Sequence, residues 1–153
     1  MGNPSIGTLR IAKVMQQGHT DCGVACLAMA TGISYGEAKA AFDANGLSAR
    51  RGRKPAYASN FKELIGALAA VGVIAKRRIF TGWARVTGIS IIKTNVRANG
   101  DWHWVVAYRH AERGIVLMDP AFDLPCFEHP PLDVFYMRLD RYTPEGSYIE
   151  LSS

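Results

Sequence analysis

Gln16-Gln17-Gly18-His19-Thr20-Asp21-Cys22-Gly23-Val24-Ala25-Cys26-Leu27 is the stretch whose reading decides the fold. A polar, glycine-containing lead-in meets an apolar run at Cys22, with Thr20 or Asp21 standing where a helix N-cap belongs. The spacing predicts a helix that starts at Cys22, carries Val24, Ala25, Leu27 and Met29, and stops at Gly32. Ser34 followed by Glu37 is a capping-box pattern. It predicts a second helix through Ala38, Ala41 and Phe42, ended by Asn45-Gly46. A basic loop, 47–58, comes next. Ser59 or Asn60 then caps a third helix, with Phe61, Leu64, Ile65 and Leu68 at helical spacing.

After Gly72 the apolar period shortens. Residues 73–80, 88–93, 102–109 and 114–118 read as strands, separated by turn signals such as Ala98-Asn99-Gly100-Asp101. Residues 119–131 hold Pro120, Pro125, Pro130 and Pro131 and read as loop, while 135–139 and 147–151 are further strand candidates. Helices first and antiparallel strands after is an α+β plan, with N-terminal helices packed on a C-terminal sheet. A chain of 153 residues suits one domain, 1–153.

Composition narrows the class. At 48% hydrophobic and 20% charged the chain is ordinary globular protein. No apolar run reaches the eighteen or so residues of a membrane span, and residues 1–7 lack the charged head and apolar core of a signal peptide. A soluble, cytoplasmic protein is expected. Cys22, Cys26 and Cys126 are an odd number, which excludes a complete disulfide framework and fits free thiols. A zinc site from these cysteines and His19 has no paired C-x-x-C motif behind it. The net charge of +5 comes largely from Arg50-Arg51-Gly52-Arg53-Lys54 and Lys76-Arg77-Arg78. No aromatic residue is interleaved with the basic run to stack bases, so nucleic acid is disfavoured as a partner.

Three separated residues then carry a chemistry. Cys22 would sit in the first turn of its helix, where unpaired N–H groups and the macrodipole favour a negative charge on sulfur. One turn deeper, Cys26 reads as a small buried hydrophobe. His103 lies in Asp101-Trp102-His103-Trp104-Val105-Val106, where strand alternation puts both tryptophans on the face opposite the imidazole. Asp119 closes the apolar run before Pro120. A hairpin turning at 110–114 would bring its carboxylate to His103, fixing the tautomer and stabilising the cation. Gln16, or its neighbour Gln17, would offer a side-chain amide to a developing oxyanion together with the Cys22 N–H.

On Gln16, Asp21-Cys22-Gly23-x-Ala25-Cys26-Leu27, His103-Trp104-Val105-Val106 and Asp119-Pro120, in that order and over nearly the whole chain, the sequence resembles the bacteriocin-processing, double-glycine-leader cysteine peptidases. These are papain-like and often form the N-terminal domain of peptide-exporting ABC transporters. The resemblance implies Gln16 rather than Gln17 as the oxyanion residue, Cys22 as nucleophile, His103 as base and Asp119 as its orienter. It implies a peptide or protein substrate and no metal or organic cofactor. No transmembrane or nucleotide-binding region follows in this sequence, so a stand-alone peptidase-like domain is expected. Amide hydrolysis, deamidation or acyl transfer by the same residues is the nearest alternative, and a non-catalytic peptide- or protein-binding module the next.

Overall fold

The computed structural model of the chain describes residues 9–132 and 135–152, so the reading of residues 1–7 lies outside it. Three α-helices come first among these residues: α1 (Cys22–Thr31), α2 (Tyr35–Ala44) and α3 (Phe61–Ala70). Six strands follow, β1 (Ala75–Ile79), β2 (Ile89–Thr94), β3 (His103–His110), β4 (Gly114–Met118), β5 (Cys126–Phe127) and β6 (Pro144–Leu151). They form one antiparallel sheet in the order β1-β6-β2-β3-β4-β5. The architecture is α+β, as the order of helical and alternating patterns predicts.

α1 is buried from Cys22 to Ala30, which its lack of any polar face requires. It ends at Gly32, whose left-handed φ of 77° lets its N–H close on the Ala28 carbonyl at 2.9 Å. α2 and α3 both begin with complete capping boxes, Ser34 with Glu37 and Asn60 with Glu63. Of the two candidate caps for α3, Asn60 holds the position.

Strand alternation divides the core in two. Trp104, Val106 and Tyr108 face the helices, packing with Leu27, Phe42, Leu64 and Leu68. Val105 and Ala107 face the other side, where Val86, Met137, Tyr142 and Tyr148 cover them. The central strands β2, β3 and β4 are therefore buried on both faces, one by helices and one by connecting segments. This second layer explains why β3 is buried from Trp104 through Tyr108 without a break.

Four expectations need correction. Asp21 occupies the N-cap position of α1 but its side chain caps nothing, and Thr20 donates elsewhere, to the Ala56 carbonyl at 2.8 Å. The first sheet strand is shorter than 73–80, spanning Ala75–Ile79. The 119–131 loop contains β5, where Cys126 and Phe127 pair with Leu117 and Val116. Residues 135–139 form no strand: Met137 alone bridges to Cys126, and a 3-10 turn (Leu139–Arg141) follows. β5 is two residues long, so it offers too short an edge for a further strand to run along.

Candidate active site

α1 delivers Cys22 at its first residue, 9% exposed. The first intrahelical bond runs from Ala25 N–H to the Asp21 carbonyl at 3.2 Å, so the N–H groups of Cys22, Gly23 and Val24 have no intrahelical partner. Asp21 does not take them. Its carboxylate turns back on the preceding loop, accepting from the N–H groups of Gln17 and Gly18, each at 2.8 Å, and from the Tyr35 hydroxyl. Burial opposes its ionisation, yet these hydrogen bonds hold its pKa below the usual carboxylate value. Asp21 thus shapes the 17–20 turn and leaves the helix end open.

β3 delivers His103 at its own first residue, where the backbone before it is free of the ladder. Trp102 folds back toward the helices, its ring 5.6 Å from Trp104 and 6.0 Å from Phe61. Alternation turns the Trp104 ring into the helix-side core, while His103 meets Asp119. The strand end nevertheless lets Trp102, His103 and Trp104 all line one cavity of about 140 Å³ together with Cys22.

The β3–β4 hairpin sets the third residue. Its register pairs Val106 with Met118, so one step further puts Asp119 opposite Val105, on the face that His103 shares. The Nε2 of His103 lies 2.6 Å from Asp119 Oδ1. Asp119 is 3% exposed and has two further donors, the Ala121 N–H to Oδ1 at 2.8 Å and the Tyr142 hydroxyl to Oδ2 at 2.7 Å. Burial would push the Asp119 pKa up; His103, Ala121 and Tyr142 outweigh it and hold the carboxyl below its usual value. Burial likewise disfavours the His103 cation, but Asp119 and the neighbouring sulfur of Cys22 reverse this and push its pKa up to about 9. With Nε2 committed to Asp119, Nδ1 is the nitrogen left for the thiol.

Gln16 joins the group through its backbone, its N–H bonding the carbonyl of Pro120 at 2.8 Å, next to Asp119. Its side chain is half-buried, with Nε2 donating to the Gly18 carbonyl at 2.7 Å and Oε1 buried without a hydrogen-bond partner. Gln17 is exposed. The other thiols are inert by environment: burial pushes Cys26 well above the usual thiol range and Cys126 up to about 12. Among the described residues no group of three or more His, Cys, Asp or Glu side chains is placed to hold a metal ion.

The basic loop is part of the cavity wall. Arg51 donates to the carbonyls of Leu47, Ala49 and Ala58 and lies 3.3 Å from Glu63, which also receives Lys54 Nζ at 2.8 Å. Because Glu63 closes the capping box of α3, the loop is bolted to the helix start. Lys54, Ser59 and Asn60 then line the cavity beside Cys22. Sequence reasoning missed the structural use of Arg51, the turn-shaping use of Asp21 and the contact of Tyr142 with Asp119. A capping-box glutamate beside a basic loop was the one legible signal among them.

The fold is the α+β arrangement seen in solved peptidase domains. More particularly, the chain is similar to a double glycine motif protease from an AMS/PCAT transporter, solved in complex with the leader peptide, with a TM-score of 0.59 and 18% identity over 93% of this chain and 91% of that one. It is also similar to the peptidase domain of Streptococcus ComA, a bi-functional ABC transporter involved in a quorum sensing pathway, with a TM-score of 0.56 and 18% identity over 91% and 96% of the two chains. No family model matches the chain, and no curated protein does.

Proposed function

We propose that the chain, across 1–153, is one cysteine peptidase domain that cleaves a peptide bond through Cys22, His103, Asp119 and Gln16. The reading rests on one observation above others: His103 bonds Asp119 and lines one cavity with Cys22, which opens a buried, uncapped helix. The likeness of fold to double glycine motif peptidase domains supports it, and so does the leader peptide bound to one of them. Among the described residues no helix is long and apolar enough to cross a membrane.

On this reading the Cys22 sulfur attacks the scissile carbonyl, and His103, cationic after taking the thiol proton, protonates the leaving amine. The negative oxygen that forms is met by the Cys22 N–H and the Gln16 amide, once the latter leaves the Gly18 carbonyl. Asp119 keeps the imidazole in the tautomer that presents Nδ1 to sulfur. Water then releases the acyl group with His103 acting as base. The substrate class we infer is a peptide with a double-glycine leader.

The test is incubation of a synthetic double-glycine leader peptide with the wild-type chain and with Cys22→Ala, read by mass spectrometry. Cleavage after the glycine pair that Cys22→Ala abolishes is the expected result. Cleavage that survives in Cys22→Ala overturns the assignment of the nucleophile.

A further inference from the structure

Asp119 has two oxygens and they are served unequally. Oδ1 takes both His103 and the Ala121 N–H, whereas Oδ2 takes the Tyr142 hydroxyl, in a buried bond of 2.7 Å. Without that donor the buried carboxylate oxygen would lose a charge-assisted hydrogen bond. Tyr142 belongs to the cluster on the far face of the sheet, 6% exposed, and its backbone is held at both sides. Its own N–H bonds the Leu139 carbonyl at 3.1 Å, and the next residue, Thr143, exchanges bonds with Asn95 at 2.8 and 3.1 Å. The hydroxyl is therefore aimed by a hydrogen-bonded frame whose residues do not line the cavity.

We propose that Tyr142 is a positioning residue for the site: its phenol holds the Asp119 carboxylate ionised and rotated so that Oδ1 meets His103. This rests on the reading of Asp119 as the orienter of His103. Other titratable groups face the same carboxylate. His103 comes from β3, Cys126 from β5, Cys26 from α1, and Lys13 from the segment before α1. Lys13 Nζ is buried without a hydrogen-bond partner, so its charge acts on Asp119 as a field and not as a bond. Tyr142 is thus the side chain, besides His103, that both bonds and orients the carboxylate among the described residues.

The experiment compares the wild-type chain with Tyr142→Phe and Tyr148→Phe, both ring-conserving. Tyr148 has its ring buried in the same cluster and makes no bond to Asp119, so it reports what removing a phenol oxygen from that cluster does without touching the carboxylate. Carbon-detected NMR of labelled aspartates follows the Asp119 carboxyl as pH is lowered. The expected result is a midpoint about one pH unit higher in Tyr142→Phe and unmoved in Tyr148→Phe. On the leader peptide, kcat should fall about tenfold in Tyr142→Phe with KM little changed. An unmoved Asp119 midpoint in Tyr142→Phe, equal shifts in both variants, or a shift with kcat intact each overturns the proposal. The titration does not depend on peptidase activity, so failure of the proposed nucleophile, read from Cys22→Ala, is a separate outcome.

Discussion

Asp119 Oδ1 lies 2.6 Å from His103 Nε2 across the β3–β4 hairpin, and the two groups shift each other's titration in opposite directions. His103, raised from 6.5 to about 9, contributes stability that is fully present below pH 6.5 and lost as pH rises through 9. Asp119, lowered from 3.8, contributes stability that is present above that value and lost as pH falls through its folded pKa. Thermal unfolding across pH is expected to show this pair's contribution greatest between 3.8 and 6.5. In Asp119→Asn the decline between pH 6.5 and 9 should shrink, leaving the part that the Cys22 sulfur contributes. An unchanged profile in that variant refutes the pairing.

The same substitution bears on rate. A neutral amide in place of the carboxylate would let the imidazole choose its tautomer and would remove the anion that stabilises its cation. For Asp119→Asn, kcat/KM on a cleaved peptide should therefore drop about a hundredfold. In the wild-type chain activity should fall on the alkaline side near pH 9, as the imidazolium loses its proton. A pH–rate profile on both proteins is the check, and an alkaline limb that ignores Asp119→Asn counts against the assignment.

Cys22 should be the most reactive thiol. It lines the cavity at a helix start, whereas burial holds both other cysteines protonated. Iodoacetamide at mildly acidic pH, followed by mass spectrometry, is expected to label Cys22 well before Cys26 and Cys126. Labelling at equal rates would contradict this. Alkylated protein should also show a lower His103 midpoint, because the sulfur is one of the groups that raises it.

Gln16→Ala is expected to leave the melting temperature nearly unchanged and to cut kcat roughly a hundredfold, the usual worth of one oxyanion donor. Gln17 is exposed, and Gln17→Ala should be close to neutral. The reverse pattern would move the oxyanion site to Gln17 while leaving Cys22 and His103 in place.

Gly23 is required by packing. A Cβ there would lie 2.8 Å from Ser59 Oγ and 3.4 Å from the rings of Phe42 and Trp104. Gly23→Ala should therefore cost about 1–3 kcal/mol in denaturant unfolding. Ser59 Oγ is buried with no hydrogen-bond partner, so Ser59→Ala alone should be nearly neutral and should recover much of the loss in the double variant. Strict additivity of the two would show that the clash lies elsewhere.

The sequence by itself determined the three helices, the central strands and the candidate residues to examine. The capping box at Ser34, the apolar run after Cys22 and the turn between His110 and Gly114 are local signals, written in residues a few positions apart. The meeting of His103 with Asp119 was also legible, because a tight hairpin sets the register of its own strands. Only tertiary structure decided that Asp21 shapes the loop and leaves α1 uncapped, that Arg51 and Lys54 brace the cavity wall through Glu63, and that Tyr142 completes Asp119. Those side chains reach partners across the sheet or across loops, where several donors compete for one carboxylate. Which donor arrives is settled by how the two faces of the sheet are packed, and no spacing along the chain encodes it.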